Sequence, residues 1–264
     1  MIPALAPWLV AVSTASFEAC APGKTVEPQC RVIAGLSPGA TVAYEVGGLT
    51  GVAATLPTAG PLRFAVFGDS GNGSQEQYAV AAQLETSDAA FLLHTGDIVY
   101  PRGALSDYGP HYFTPYRRIL SRVPLYPAVG NHDYANQMSG ERHGRLRFEE
   151  AYRLVHRKPA YYSFDAGPVH FISLDTNQAF HIDAAAPYGP GSAQDVWLRT
   201  DLAASSAPWK IIFTHVPIHA SEDHGDHEAL RRWLEPLLKE HRVQVVFSGH
   251  DHIYERTKPI EGTV

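Results

Sequence analysis

A layered α/β domain preceded by a small β unit is the fold class this sequence predicts, on three observations. Residues 1 to about 58 carry short alternating runs rich in Val, Thr, Ala and Gly, with no helical stripe. After the linker Leu56-Pro57-Thr58-Ala59-Gly60-Pro61 the pattern changes to short apolar runs separated by amphipathic stretches. Several of those apolar runs end in Gly followed by Asp, Asn or His. The chain has 264 residues, 45% hydrophobic and 18% charged, which suffices for a sizeable core. Its 22 Gly and 20 Pro fall below the share that marks a disordered chain. No apolar run reaches the roughly 18 residues of a membrane-spanning helix. A net charge of -6 without a basic patch argues against nucleic acid as a partner.

In chain order, Met1 to Val12 is apolar over the length of a signal-peptide core. The first basic residue is Lys24, however, and Pro3 and Pro7 interrupt the run, so a first strand is the preferred reading. Cys20 and Cys30 bracket a Pro- and Gly-containing loop that a disulfide could close; two unrelated buried thiols are the alternative. Two Cys are too few for a four-thiolate metal site. Thr41 to Val46 alternates as a strand. Beyond the linker, buried strands are expected at 62–67, 91–94, 125–129, 169–174, 211–214 and 243–247. Tyr161 to Asp165 pairs with the fourth of these as a hairpin across Ala166-Gly167-Pro168. Ser74 with Gln77 signals a capping-box helix to about Glu85, and Ser192 with Asp195 does the same through Leu202. Glu228 to His241 carries Leu230, Trp233, Leu234, Leu237 and Leu238 in a helical stripe, with Pro236 inside it. Two domains follow, at 1–58 and 62–264.

The chemistry lies at the strand ends. Phe67 leads into Gly68-Asp69-Ser70-Gly71, and His94 into Gly96-Asp97-Ile98-Val99-Tyr100. Val129 leads into Gly130-Asn131-His132-Asp133, Thr214 into His215, and Ser248 into Gly249-His250-Asp251-His252. Ligands bind at the carboxyl edge of such sheets, so these side chains should converge. His94, mid-strand among apolar neighbours, reads instead as a satisfied core histidine. Asp, Asn, His and one Tyr form an oxygen and nitrogen donor set suited to first-row metals. There are too many donors for one tetrahedral zinc, and the number suits two metals sharing a carboxylate.

This series of motifs is similar to the metallophosphoesterase (calcineurin-like) superfamily, and within it the chain resembles the purple acid phosphatases. The superfamily usually begins with Asp-x-His; here that His is replaced by Gly71, and Tyr100 stands where purple acid phosphatases supply a phenolate. The similarity extends over Tyr161-Tyr162-Ser163-Phe164-Asp165, Trp197-Leu198 and Tyr254-Glu255-Arg256-Thr257. It implies a four-layer α-β-β-α sandwich. Ala6-Pro7-Trp8-Leu9 through Gly35-Leu36-Ser37-Pro38-Gly39 resembles a reduced fibronectin-III-like domain in front of it.

The resemblance implies that Asp69, Tyr100 and His252 hold a first metal, Asp97 bridges, and Asn131, His215 and His250 complete the second. The first metal would be Fe(III) and the second a divalent Fe, Zn or Mn. A free tyrosine titrates near pH ~10, so a trivalent ion is what would make Tyr100 a phenolate. The implied reaction is hydrolysis of phosphomonoesters by a metal-bound hydroxide attacking phosphorus, with no Ser or Cys nucleophile. His132 stands where the family has a catalytic His beside the ligand Asn, and Asp133 could orient it. His224, nine residues past His215, stands where small mammalian-type members have a second substrate-facing His. A phosphodiesterase of the same superfamily and a catalytically idle metal-stabilised binding or adhesion module are the alternatives. Partners would be small phosphate esters, with a homo-oligomer left open. Location would be extracytoplasmic, periplasmic or secreted, although no clear signal peptide is present. Relatives usually continue with further strands, whereas this sequence stops at Val264, twelve residues after His252. An exposed sheet edge near the site is therefore expected.

Overall fold

The computed structural model describes residues 6–24, 27–134, 151–183, 185–221 and 227–260. Five strands come first: β1 (Trp8–Val12), β2 (Ser16–Ala21), β3 (Gln29–Ala34), β4 (Thr41–Val46) and β5 (Leu49–Ala54). β1, β2 and β3 form an antiparallel sheet, and β4 pairs with β5. Cys20 and Cys30 face each other across β2 and β3 and are joined as a disulfide, which resolves the two sequence readings in favour of the bridge.

Two further sheets build the rest. β6 (Ala65–Phe67), β7 (Leu92–His94) and β8 (Leu125–Pro127) are parallel, in that order. The second sheet runs β12 (Val245–Phe247), β11 (Trp209–Phe213), β10 (Val169–Ser173), β9 (Tyr162–Ala166). β9 and β10 form the expected hairpin, while β10, β11 and β12 are mutually parallel.

Strand periodicity of two sends alternate residues to opposite faces, and this makes the layers. Leu93, Tyr126, Phe171, Ile211 and Phe213 lie in one core between the sheets. Leu92 and Leu125 point the other way, into a cluster with the helices α1 (Gln75–Thr86) and α2 (Thr114–Leu120). Ile172 and Ile212 point out of the second sheet into a cluster with α3 (Ala193–Ala204) and α4 (Glu228–His241). The order is helices, sheet, sheet, helices.

The capping signals act as their sequences suggest. Ser74 Oγ accepts the Gln77 amide, and Gln77 Oε1 accepts the Gly73 amide. Ser192 Oγ accepts the Asp195 amide, and Asp195 Oδ2 the Gly191 amide. Pro236 stays inside α4 without ending it, because Leu230, Trp233, Leu234, Leu237 and Leu238 are all buried and hold the helix to the sheet. α2 and the π turn 109–113 before it were not legible in sequence. Gly and Pro usually interrupt helices, yet Pro110 and Pro115 each sit in a first turn, where the missing amide costs little.

Among the described residues, the N-terminal strands share the cores of the larger sheets. Trp8 and Val10 belong to the cluster of α1 and α2, whereas Leu9, Phe17 and Tyr44 belong to the core between the two larger sheets. Trp8 Nε1 donates to Val155 O at 2.8 Å, and Tyr44 Oη to Ser121 O at 2.9 Å.

Candidate metal centre

All seven sequence-predicted ligand residues lie at the carboxyl ends of the two parallel strand sets. Asp69 follows β6, Asp97 and Tyr100 follow β7, and Asn131 follows β8; His215 follows β11, and His250 and His252 follow β12. The carboxyl ends of the two packed sheets therefore border one site.

Their side chains converge in two halves. The Tyr100 hydroxyl donates to Asp97 Oδ2 at 3.0 Å and lies 3.1 Å from His252 Nε2. His252 Nε2 is 3.5 Å from Asp69 Oδ1, and ligand atoms of Asp69, Asp97 and His252 all lie within 4.8 Å of one another. On the other side, His215 Nε2 lies 2.9 Å from Asn131 Oδ1 and 3.5 Å from Asp97 Oδ1. The His215 and His250 rings are 5.2 Å apart. Asp97 thus offers one carboxylate oxygen to each half.

Backbone geometry aims these groups. Asp69, Asp97, His250 and His252 all adopt φ between 53° and 75°, a left-handed conformation uncommon for residues other than glycine. Strain of this kind persists where surrounding contacts over-determine it. Here Asp69 N donates to Gly96 O, and the His250 amide donates back to the Asp69 carboxylate at 3.0 Å. His215 donates its Nδ1 proton to Thr95 O at 2.9 Å, which leaves the Nε2 lone pair facing Asn131 and Asp97.

Gly71 lets the Tyr100 loop pack closely. A Cβ at Gly71 would lie 1.8 Å from Ile98 O, and the Tyr100 amide donates to Gly71 O at 2.7 Å. The loop carrying Tyr100 occupies the space that a side chain at Gly71 would need. Gly71 and the Tyr100 loop are thus packed as one unit. Gly130 likewise admits Asp97, whose amide nitrogen would be 2.1 Å from a Cβ there.

The electrostatics call for a cation. Burial and the neighbouring Asp97 raise the Asp69 pKa, against the opposing pull of His215. Burial and the charges of Asp97 and Asp69 push the Tyr100 hydroxyl far above the ordinary tyrosine range. Burial opposes a charge on His215, but Asp97 and Asp69 outweigh it and raise its pKa. Among the described residues, no lysine or arginine pairs with Asp69 or Asp97. Two carboxylates, a phenol, an amide oxygen and imidazoles, with no lysine or arginine paired to the carboxylates among the described residues, fit a metal centre.

The remaining predicted residues divide. His132 is half-buried beside Tyr100, with ring centroids 4.5 Å apart. Its Nδ1 donates to Pro101 O at 2.8 Å, and its Nε2 lies 3.9 Å from Asp97 Oδ2. His224 lies outside the described residues. His94 is the satisfied core histidine the sequence suggested: its Nδ1 accepts the Gly96 amide and its Nε2 bonds Ser70 Oγ, while burial brings its pKa down to about 3. Asp133 is a correction. It does not orient the His132 ring, because its carboxylate is taken by backbone amides of Ile98, Val99 and Gly130. His111 was missed in sequence; its Nδ1 donates to Tyr100 O at 2.9 Å, so His111 and His132 grip consecutive carbonyls of the Tyr100 loop. Nothing in its Pro-flanked sequence context signals that contact.

Comparison with known proteins follows the same lines. The calcineurin-like phosphoesterase family model matches residues 62–254. Purple acid phosphatase 17 of Arabidopsis thaliana is 30% identical over 217 residues, which cover 73% of this chain and 63% of that protein. Purple acid phosphatase 21 of the same plant is 29% identical over 222 residues, covering 78% of this chain and 47% of that protein. The structure of a purple acid phosphatase from yellow lupin (Lupinus luteus) seeds superposes with a TM-score of 0.69 at 15% identity, over 93% of this chain and 58% of that one. The chain therefore shares the fold and spans about half to two thirds of these relatives' lengths.

Proposed function

The chain belongs to the calcineurin-like phosphoesterase family, and on that premise we propose that it is a phosphomonoesterase of purple acid phosphatase type with a dinuclear metal centre. The observation that carries this reading is Asp97, whose Oδ2 meets Tyr100 and whose Oδ1 meets His215. A carboxylate with one oxygen in each half of a donor cluster suits a bridge between two ions.

Asp69, Tyr100 and His252 would hold the first ion, Asn131, His215 and His250 the second, with Asp97 shared. Fe(III) suits the first position, since Tyr100 sits among carboxylates that oppose its ionisation and only a highly charged cation would reverse that. A divalent Fe, Zn or Mn suits the second. Ions held by these residues would supply Lewis acidity to phosphoryl oxygens and lower the pKa of a water.

The chain's own residues do the rest. His132 holds its Nδ1 proton on Pro101 O, so its Nε2 is the nitrogen turned towards the centre. Only the cationic ring carries a proton on Nε2 as well, so His132 donates to a leaving alkoxide in the acid form. His215 is locked by Thr95, and Tyr100 by His111 through its carbonyl, so neither has to reorganise. His224 is proposed as a second, weaker contact to substrate.

The substrates are small phosphate esters. The Cys20–Cys30 disulfide supports an extracytoplasmic, periplasmic or secreted, setting. Residues 1–58 are read as a reduced fibronectin-III-like unit, and self-association would use β6 and β12, outer strands of their sheets among the described residues. Metal analysis with parallel assays on a phosphate monoester and a diester tests the reading. Two ions per chain and a preference for the monoester are expected. Fewer ions, or a preference for the diester, would overturn it.

A further inference from the structure

Asp133 is buried in the turn His132–Tyr134, one residue beyond His132. Both its oxygens are used. Oδ1 accepts the amides of Ile98 and Val99 at 2.9 and 3.3 Å, and Oδ2 accepts the amide of Gly130 at 2.8 Å. Those amides flank candidate ligands directly: Ile98 follows Asp97, Val99 precedes Tyr100, and Gly130 precedes Asn131. The bonding is reciprocal, because Asp97 Oδ1 in turn accepts the His132 amide at 2.9 Å. Each of the two loops thus lends a carboxylate to the backbone of the other. Gly103 closes the arrangement from behind: a Cβ there would lie 2.6 Å from Asp133 O.

We infer that Asp133 is the positioning residue that sets the spacing between the two halves of the metal centre. Its oxygens accept three amides, and it is not grouped with the ligand atoms of Asp69, Asp97 and His252, so it acts from behind the ligands. It acts through Asp97, Tyr100 and Asn131, so it governs both ions at once. A carboxylate is required because all three partners are donors, and an amide side chain would turn an N–H₂ group towards at least one of them. This rests on the dinuclear reading above.

Zinc(II) titration against a chromogenic chelator, on the full chain freed of metal, tests the inference. Wild type should take two ions; if it does not, the dinuclear reading fails and Asp133 is not at issue. In Asp133→Asn, measured well below its melting temperature, both binding steps should weaken about 10–100-fold, the range for groups that support metal ligands. Asp133→Glu restores the carboxylate and should recover most of that loss. With zinc saturating, Asp133→Asn should lower kcat for a phosphate monoester while leaving KM within about threefold, whereas a residue that only stabilises the fold would move neither. Weakening of one step alone, or affinities within about twofold of wild type in a folded variant, would overturn the inference. If Asp133→Asn does not fold, Asp133→Glu carries the titration, with near-native affinity at both steps supporting positioning and loss of either step opposing it. Failure of both variants to fold in excess zinc would assign Asp133 to the fold and overturn it too.

Discussion

At the scale of single residues, the site is built from side chains whose partners leave each with one task. Tyr100 has its backbone tied to Gly71 and His111 and only its hydroxyl directed inward. If it ligates Fe(III), the purified protein should absorb in the visible, and Tyr100→Phe should bleach that band with the far-ultraviolet circular dichroism unchanged. A colourless, iron-free and fully active protein would remove Fe(III) from the account and leave the two-metal chemistry standing. His132 presents Nε2 to the centre, and general acids typically contribute ~10²–10⁴-fold. His132→Ala should slow alkyl phosphates far more than activated aryl phosphates, whose leaving groups need no proton, at constant metal content. Equal slowing of both would point to substrate positioning. Most of these residues were legible because a Gly before Asp or His at a strand end is a local signal. Asp133 was misjudged because its partners are backbone amides of loops distant in sequence.

At the scale of elements, β9, β10 and α3 are joined by an ionic link that no motif announces. His170 on β10 bonds Asp165 of β9 at 2.7 Å through Nδ1 and Asp201 of α3 at 2.8 Å through Nε2; Asp201 also accepts from Ser163. Both ring nitrogens face carboxylates, so the cationic ring is the form that fits. Burial opposes the charge, but the bonds to Asp201 and Asp165 outweigh it and raise the His170 pKa. Burial likewise opposes the charge on Asp201, and His170 with Ser163 outweighs it and lowers that pKa. The His170 contribution is full below its unfolded pKa of about 6.5 and is lost as pH rises through the higher folded value. The Asp201 contribution is present above about 3.9 and fades as pH falls through its lower folded value. His170→Gln should therefore lower the melting temperature more at pH ~5.5 than at pH ~8.5. An equal loss at both pH values would mean that packing, and not charge, is what His170 provides.

At the scale of the whole molecule, the centre is where two sheets meet, and holding it together costs charge repulsion. Asp69 hangs from one sheet and accepts an amide from the loop after β12 of the other. A bound ion would tie Asp69 and Asp97, which both follow strands of the first sheet, to the histidines of the second and offset the repulsion between the two carboxylates. A ligand at a thousand times its Kd adds about 4 kcal/mol, worth on the order of 10 °C in melting temperature for a chain of this size. Chelation should lower the melt by that order, and re-addition of metal should restore it. Identical melts with and without chelator would show that the two sheets close the site unaided. β6 and β12 are outer strands of their sheets, so a chelator effect that shrinks as protein concentration rises would mark self-association through those edges.

The sequence by itself determined the layered α/β class, the extents of α1, α3 and α4, the β9–β10 hairpin and the set of strand-end side chains that converge. Each rests on a period, a cap or a glycine turn, which are properties of a few consecutive residues. Tertiary structure alone decided that Cys20 and Cys30 are bridged, that α2 forms despite its prolines, and that β1 to β5 share the cores of the larger sheets. It also decided that Asp97 turns one oxygen to each half of the centre and that Asp133 binds three amides from two loops. The physical reason is range. Backbone donors look alike in every sequence, and only packing of distant segments selects which of them a buried carboxylate will meet.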